Sequence, residues 1–485
     1  MSISQQYEPK IVLGFFEEFS RIPRGSGNEQ AMSDYLVNFA TKNGLQSKRD
    51  NANNVVIYKP GTPPSHDNHP PLILQAHMDM VNEKNADTVH DFLTDPITLR
   101  VEGDKVFANG TTLGADNGVG MAMILAILDN SYEHPHPPIE AIFTTDEETG
   151  MTGVAELDAS WLTARRMINL DSGDEGEICV GCAGGVRAFI TVPVEWEPLN
   201  QANFLKINVR GLKGGHSGTE INLERANSNR VLARVITAIK EAAQDVQVVK
   251  IAGGLKNNAI PREAEVIISV PSDKVSNVKE IVSAFEATLR NEYRVADPDI
   301  SLTLTDIKGE YTQAFSPETT KRVLAALLLT PNGVQAMSQD IPGLVETSNN
   351  IGVVETTENA VKINCALRSS VSTRIEHLRK QIITLSDSLN AGVEFSQGYP
   401  GWAYAPNSPL RETAIAEFEK MFDKKPIIQA VHAGLECGFF LEKIPGMDII
   451  SYGSDIHENH SPNEHFSIPS LQRIWRFTIA LLESL

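Results

Sequence analysis

Residues 71–79 read Pro71-Leu72-Ile73-Leu74-Gln75-Ala76-His77-Met78-Asp79, a short apolar run that ends in a histidine and a carboxylate. The apolar part, 71–76, is bounded by polar residues and predicts a buried strand. Because side chains alternate along an extended chain, His77 and Asp79 share one face. A carboxylate beside a histidine orients the ring and raises its basicity, as the partners of metal-binding histidines do. The stretch therefore predicts a strand that carries a candidate metal ligand at its end.

Similar apolar runs surround this strand in the sequence. Residues 55–58, 139–144 and 167–170 are further short strands, and 118–128 is apolar on most faces, as in a buried helix. Strands that alternate with helices predict an α/β domain with a mixed, mostly parallel sheet. Ligands of such sheets gather at the carboxyl ends of the strands, where the polar clusters described below are located.

The pattern changes at about residue 186 to that of an α+β domain with an antiparallel sheet. Near residues 399–402 the chain returns to the first domain, which ends with helices at 410–422 and 471–482. We therefore expect a first domain made of residues 1–186 and 398–485, with a second domain inserted at 187–397. The predicted strands of the second domain are 204–209, 264–270, 301–307 and 361–367, and its predicted helices are 224–243, 274–289 and 374–389.

Length and composition limit the function. A chain of 485 residues is too long for one compact core and predicts two or three domains. The net charge of −20, without a basic stripe, argues against a nucleic-acid or anionic-membrane partner. The most apolar stretch, 121–128, is too short to span a bilayer. Cys179 and Cys182 alone are weak evidence for zinc. The four cysteines form no disulfide framework and residues 1–6 lack a signal pattern, so we expect a cytoplasmic protein.

Five polar clusters are candidates for the active site. Each has an ordinary structural explanation when taken alone, such as a core histidine, a solvated acidic turn, an Asp-Asn-Gly turn or a helix cap. Their occurrence together, in order, at the ends of predicted strands favours a site instead. Two histidines with three or four carboxylates suit paired zinc ions with one bridging carboxylate. The clusters are residues 77–79, 114–118, 146–148, 170–172 and 460–462.

Two of these clusters resemble motifs of a known family, the co-catalytic di-zinc peptidases related to carboxypeptidase G and the aminoacylases. The motifs are Gln75-Ala76-His77-Met78-Asp79-Met80-Val81 and Gly110-Thr111-Thr112-Leu113-Gly114-Ala115-Asp116-Asn117-Gly118. Three more stretches are similar to members of the family that hydrolyse dipeptides, so the resemblance covers nearly the whole chain. These stretches are Gly211-Leu212-Lys213-Gly214-Gly215-His216-Ser217-Gly218, Asn258-Ala259-Ile260-Pro261-Arg262-Glu263 and His432-Ala433-Gly434-Leu435-Glu436-Cys437-Gly438.

The resemblance implies a complete set of metal ligands for two Zn²⁺ ions, which Co²⁺ or Mn²⁺ would be able to replace. His77 and Asp171 would bind one ion, and Glu148 and His460 would bind the other. Asp116 would bridge both ions.

The resemblance also implies catalytic and substrate-binding residues in both domains. Glu147 would be the general base, Asp79 would orient His77, and the peptide bond between Asp116 and Asn117 would be cis. The first domain would be the catalytic domain and the inserted second domain a lid. His216 in this lid would donate a hydrogen bond to the oxyanion, either in its own subunit or in a partner's. Residues implied to hold the substrate are Asn258, Arg368, His432 and Glu436.

The implied activity is hydrolysis of unblocked dipeptides, including Xaa-His dipeptides such as β-alanyl-histidine, by a metal-activated water with Glu147 as general base. The resemblance favours a homodimer. One alternative is a di-zinc hydrolase of N-acyl amino acids or a carboxypeptidase, which would share the metals and the base but not the substrate. Another is a metal-binding protein without catalysis, which the presence of Glu147 disfavours.

Overall fold

The structure is a computed structural model that describes residues 2–199, 203–309 and 311–485. Its chain forms two compact units that interleave along the sequence. The first unit comprises Met1–Gly181, Tyr404–Ala430 and Glu436–Leu485, and the second comprises Cys182–Ala403 and Val431–Leu435.

An eight-stranded mixed sheet forms the centre of the first unit. Its four central strands run parallel, and antiparallel pairs flank them on both sides. The predicted α/β fold class is confirmed. The strand order is Gln46–Arg49, Val55–Lys59, Ile139–Thr144, Leu72–His77, Arg166–Asn169, Asp448–Ser451, Glu177–Cys182 and Ile427–Val431.

Helix Ala115–Leu128 packs on strand Leu72–His77 and on helix Lys10–Phe19. All six residues of the strand and nearly every residue of the helix are buried, because both elements lie inside the layered core. The other helices of this unit are Gln30–Lys42, Thr152–Glu156, Pro409–Phe422, Cys437–Lys443 and Ile468–Ser484, with a 3₁₀ turn at Ala159–Trp161. A small four-stranded sheet consists of Ile456–His457, His465–Ser467, Lys105–Ala108 and Leu99–Glu102.

The second unit is built on a nine-stranded sheet in which every described pair is antiparallel. The predicted α+β character of this part is confirmed. Its strands are Ser301–Ile307, Asn203–Arg210, Ala264–Val270, Gln247–Gly253, Val345–Thr356, Ala360–Ser369, Gly184–Pro193 and Gly392–Phe395 in order, with Gly333–Met337 beside Val345–Thr356. Two-stranded sheets pair Trp196–Pro198 with Gln313–Phe315 and Gly215–His216 with Ala259–Ile260. Its helices are Ser228–Ala242, Val275–Glu292, Pro317–Leu329 and Ser372–Ser388, with 3₁₀ turns at Ile221–Leu223 and Ser272–Lys274.

Some elements differ from the sequence prediction for identifiable reasons. The helix predicted at 224–243 begins only at Ser228, because the side chain of Asn227 accepts hydrogen bonds from the first-turn amides and caps the helix there. Strand Val345–Thr356 was not predicted, since its middle is polar. The buried amide of Asn350 in that strand donates to the carbonyl oxygens of Asn257 at 3.0 Å and Ala259 at 2.8 Å, so its polarity is satisfied.

None of the helices in the described ranges combines the length and the apolar character that a bilayer crossing requires.

The buried helix of the first unit provides a test of the core. Leu125 lies in it and is fully buried. We expect Leu125→Ala to lower the free energy of unfolding by about 2–5 kcal/mol, because it removes apolar contacts and leaves a cavity. Urea unfolding of the metal-free protein measures this loss. The control Leu93→Ala, at a side chain that is 67% exposed, is expected to change stability by less than about 0.5 kcal/mol; equal losses in the two variants would contradict the packing described here.

Candidate active site

The carboxyl ends of the central strands bring the candidate residues of the first unit to one edge of the sheet. Strands Leu72–His77 and Ile139–Thr144 are parallel and in register, with His77 opposite Thr144. Strand Arg166–Asn169 runs parallel beside them. Residues that directly follow these strands, including Glu147 and Asp171, therefore lie near His77, as the sequence pattern predicts.

Asp116 presents its two carboxylate oxygens to two separate groups of side chains. Its Oδ1 lies 3.1 Å from His77 Nε2, and the same nitrogen lies 3.4 Å from Asp171 Oδ1. Its Oδ2 lies 3.5 Å from His460 Nε2, which in turn lies 3.0 Å from Glu148 Oε2. Asp116 thus stands between two pairs that each consist of a histidine and a carboxylate.

Asp79 is fully buried and organises the residues around it. Its Oδ1 lies 3.3 Å from Nδ1 of His77, so the carboxylate fixes the ring with Nε2 turned toward Asp116. The same carboxylate accepts hydrogen bonds from the backbone N–H groups of Glu147 at 3.0 Å and Glu148 at 3.2 Å, and from Ser26 Oγ at 2.7 Å. One side chain therefore positions a histidine and two glutamates.

The donor set fits a divalent cation. Ligand atoms of His77, Asp116 and Glu148 all lie within 4.8 Å of one another. The second carboxylate oxygen of Glu148, Oε1, is buried and has no hydrogen-bond partner among the described residues. A buried carboxylate oxygen without a donor is costly unless a cation occupies its lone pairs.

The site also concentrates negative charge. Burial raises the pKa of Asp171 to about 6, and the nearby carboxylates of Asp116 and Glu148 add to that rise, while His77 opposes it. Burial raises the pKa of the Glu147 carboxyl well above its usual range, again against the opposing effect of His77. Hydrogen bonds to Asp116 and Glu148 raise the pKa of His460 to about 10. Oxygen and imidazole donors with this excess of negative charge suit divalent metal ions.

The backbone at Asp116 has the form that the resemblance implied, since the Asp116–Asn117 peptide bond is cis. Two amide side chains hold the acidic groups beside it. Asn117 Nδ2 donates to Asp171 Oδ1 at 2.8 Å, and Asn459 Nδ2 donates to Asp116 Oδ2 at 2.9 Å. Asn459 was not predicted, although it directly precedes His460.

In the second unit, His216 lies in the short strand Gly215–His216, opposite Ala259. The next residue, Ser217, donates its N–H to the carbonyl oxygen of Asn258 at 2.9 Å, so the predicted His216 and Asn258 are neighbours. The backbone N–H of Thr219 donates to His216 Nδ1 at 3.2 Å. Burial, aided by the positive charge of Arg368, lowers the pKa of His216. The ring is therefore neutral with its proton on Nε2, which makes Nε2 a hydrogen-bond donor.

Arg368 and His432 join His216 around Gly218. A Cβ built on Gly218 would lie 3.1 Å from His216 Cε1 and 3.2 Å from Arg368 Nε, and it would overlap the carbonyl oxygen of His432. Arg368 is 8% exposed, donates from Nη1 to Tyr399 Oη at 2.8 Å, and has a buried Nε without a partner among the described residues. Three of the predicted second-unit residues are thus grouped, and glycine at position 218 permits that grouping.

Glu436 lies in the first unit and is fully buried. Its Oε2 accepts hydrogen bonds from Gln75 Nε2 and Thr144 Oγ1, both at 2.6 Å. Burial raises its pKa to about 8, with a further rise from Asp171 and an opposing effect from His77. Its predicted contact with substrate stays a prediction.

Two residues that the sequence did not single out contact the segment before Asp116. Glu464 accepts hydrogen bonds from four consecutive backbone amides there, and Arg24 donates to the carbonyl oxygen of Gly114 in that segment and to two carbonyl oxygens that follow His77. Glu464 follows the candidate ligand His460 by four residues, and this closeness in the sequence is a signal that could have identified it. Arg24 lies in no recognisable motif.

Fold and site together define a metal-dependent hydrolase of the peptidase class. The chain matches peptidase family M20/M25/M40 over residues 73–484 and belongs to that family. The expectation of a peptidase from the sequence motifs is thereby confirmed, and membership implies the use of divalent metal ions.

Two relatives resemble this chain along its full length. The cytosol non-specific dipeptidase of Escherichia coli (strain K12) is 39% identical over 489 residues, which cover 100% of this chain and 99% of that protein. The crystal structure of aminoacylhistidine dipeptidase from Vibrio alginolyticus superposes with a TM-score of 0.93 at 38% identity and covers 100% of this chain and 98% of its own. Aminopeptidase PepT from Bacillus cereus, at 15% identity and a TM-score of 0.56 with 98% of each chain covered, shares the fold alone.

The electrostatics of the second unit give a prediction for His432. Burial lowers its pKa to about 3, and the charge of Arg368 contributes to the shift. We therefore expect the imidazole to stay neutral from pH 8 down to about pH 5, where an unperturbed histidine is mostly protonated. The ring signals of His432 are assigned in carbon–proton NMR spectra of the full chain as those that disappear in the variant His432→Gln. A titration of these resonances near pH 6.5 would show that the ring is solvated.

Proposed function

We propose that this enzyme hydrolyses unblocked dipeptides, including Xaa-His dipeptides such as β-alanyl-histidine, with two Zn²⁺ ions per subunit. The observation that carries the proposal is Asp116, whose two oxygens face His77 with Asp171 on one side and His460 with Glu148 on the other. The substrate class follows from the names of the two full-length relatives, which are dipeptidases.

In this proposal Asp116 and the four residues around it hold the metals. His77 and Asp171 would bind one ion, Glu148 and His460 the other, and Asp116 would bridge them. When bound, a pair of divalent cations acidifies water and polarises the peptide carbonyl. Co²⁺ or Mn²⁺ would be tolerated, since the ligands are mostly oxygen atoms.

Glu147 is assigned the proton transfers. Its backbone is fixed by Asp79, and burial gives its carboxyl a raised pKa, which is the tuning that a general base near neutral pH requires. It would accept the proton of the attacking water and deliver it to the leaving amine. Asp79 would keep the ring of His77 in its binding orientation through the contact at Nδ1.

The second unit supplies the groups assigned to the substrate. Arg368 would bind the substrate carboxylate, because its planar fork forms two parallel hydrogen bonds with such a group and its Nε has no other partner among the described residues. His216, neutral with a proton on Nε2, is the proposed donor to the oxyanion. Asn258 and His432 are assigned to substrate binding with it, and Glu436 is retained as a candidate.

We also propose a cytoplasmic location, in keeping with the cytosol named for the Escherichia coli relative. The homodimer stays a prediction, and neither nucleic acid nor membrane is expected as a partner.

The adjacent glutamates provide a matched pair of variants. Glu147→Gln is expected to lower kcat by about 10²–10⁴ with both metal ions retained, because it removes the proton acceptor alone. Glu148→Gln is expected to lower the metal content, because it removes a ligand. Dipeptide hydrolysis and elemental analysis of the same preparations distinguish the two effects. Wild-type kcat in Glu147→Gln would exclude it as the base.

Substrate choice is tested on the wild-type protein with dipeptides, tripeptides and N-acylated amino acids, including β-alanyl-histidine. We expect hydrolysis of the dipeptides, loss of activity with a chelator, and recovery on addition of Zn²⁺. Activity on tripeptides or acylated amino acids without activity on dipeptides would favour the alternative of an acyl-amino-acid hydrolase or carboxypeptidase.

A further inference from the structure

The carboxylate of Glu464 is surrounded by backbone amides. It is 2% exposed. Its Oε2 accepts hydrogen bonds from the N–H groups of Leu113 at 2.7 Å and Gly114 at 3.0 Å, and its Oε1 accepts from those of Ala115 at 2.8 Å and Asp116 at 3.2 Å. Four consecutive peptides that lead into Asp116 are therefore fixed by one side chain.

Arg24 binds one carbonyl group of the same segment and two carbonyl groups of the residues that follow His77. It is also 2% exposed. Its Nη1 donates to the carbonyl oxygens of Met78 and Asp79, both at 3.0 Å, and its Nη2 donates to the carbonyl oxygen of Gly114. The guanidinium thus joins the residues that follow His77 to the residue two positions before Asp116.

Gly114 is held on both sides, since its N–H contacts Glu464 and its carbonyl oxygen contacts Arg24. It has φ +70°, and a Cβ there would lie 2.5 Å from Arg24 Nη2 and 2.7 Å from Met80 Sδ. Both the backbone conformation and the space therefore require glycine.

Glu464 and His460 lie on one short segment, and both reach Asp116. His460 Nε2 lies 3.5 Å from the side chain of Asp116, while Glu464 accepts from its backbone N–H. The segment that carries the candidate ligand of one ion is thereby tied to the backbone of the candidate bridging ligand. Arg24 ties the segment after His77, a candidate ligand of the other ion, to that same backbone.

We propose that Glu464 and Arg24 are positioning residues that set the spacing of the two metal sites by fixing the backbone on which Asp116 stands. This inference rests on the proposed dinuclear function. Neither residue is assigned a contact with metal or substrate; each acts through peptide groups. An anionic acceptor is required at position 464, because backbone N–H groups face it. A cationic donor is required at position 24, because carbonyl oxygens face it.

Glu464→Gln tests the proposal with little change in volume. One acceptor oxygen becomes an NH₂ group that faces backbone N–H donors, so two of the four hydrogen bonds are replaced by donor–donor contacts. We expect the affinity for Zn²⁺, measured by chelator competition, to fall by about 10–100-fold, as for other residues that orient metal ligands. At saturating Zn²⁺ we expect kcat to fall at least about tenfold, with KM within about threefold of wild type.

Glu140→Gln is the matched control. Glu140 is a buried carboxylate of the same unit that also accepts backbone N–H groups, from Thr163 at 2.9 Å and Ala164 at 3.2 Å, but near the start of strand Ile139–Thr144 and so at the opposite end from the site. It is expected to lose thermal stability and to keep wild-type Zn²⁺ affinity and kcat. A Glu464→Gln protein that behaves like Glu140→Gln would overturn the inference.

Arg24→Lys is the second variant, and it decides the matter if Glu464→Gln does not fold. The charge is kept, but a compact ammonium lacks the planar fork that reaches the carbonyls of two segments. We expect the same loss of Zn²⁺ affinity and kcat, and wild-type values would overturn the inference. A wild-type protein that neither binds Zn²⁺ nor hydrolyses dipeptides would instead overturn the proposed function, so the two failures are distinct.

Discussion

The burial of several carboxylates beside two histidines is the constraint on which the first unit depends. Asp79, Asp116, Glu148 and Asp171 converge with His77 at one edge of the sheet, where burial makes their negative charge costly. Neutral hydrogen-bond donors and one arginine compensate part of that cost. Divalent cations bound to the carboxylates would neutralise the remaining negative charge. The parallel strands matter because they place successive loop residues at the same edge.

The functional groups are held by buried backbone contacts rather than by surface ion pairs. Asp79 fixes the backbone of both adjacent glutamates, and Glu464 fixes the backbone before Asp116. Such contacts leave these backbone segments little freedom, because each carboxylate is buried and accepts hydrogen bonds from several peptide N–H groups at once. This rigidity suits a site whose ligands must hold divalent metal ions in fixed positions.

The second unit also uses burial to set the charge of its candidate residues, but here the result is a positive charge beside neutral histidines. Burial and Arg368 keep His216 and His432 neutral, while Arg368 itself retains an unpartnered buried Nε among the described residues. A positive charge beside neutral imidazoles suits the recognition of an anionic group, just as the acidic first unit suits cations.

The sequence by itself determined the fold class, most central strands and the identity of the acidic and histidine clusters, because apolar period and motif order are local properties. Strand Ile139–Thr144 and the helix after Asp116 were predicted on that basis. Tertiary structure alone decided how Asp116 is held. Asp116 and Asn117 have non-helical backbone angles, so the regular helix follows them from residue 118 as predicted, but the amides of residues 113–116 meet Glu464, a residue about 350 positions away. Arg24 was equally invisible, since a single arginine becomes significant only when the fold surrounds it with carbonyl groups. Local patterns specify which side chains are available, and only long-range packing decides which peptide groups they meet.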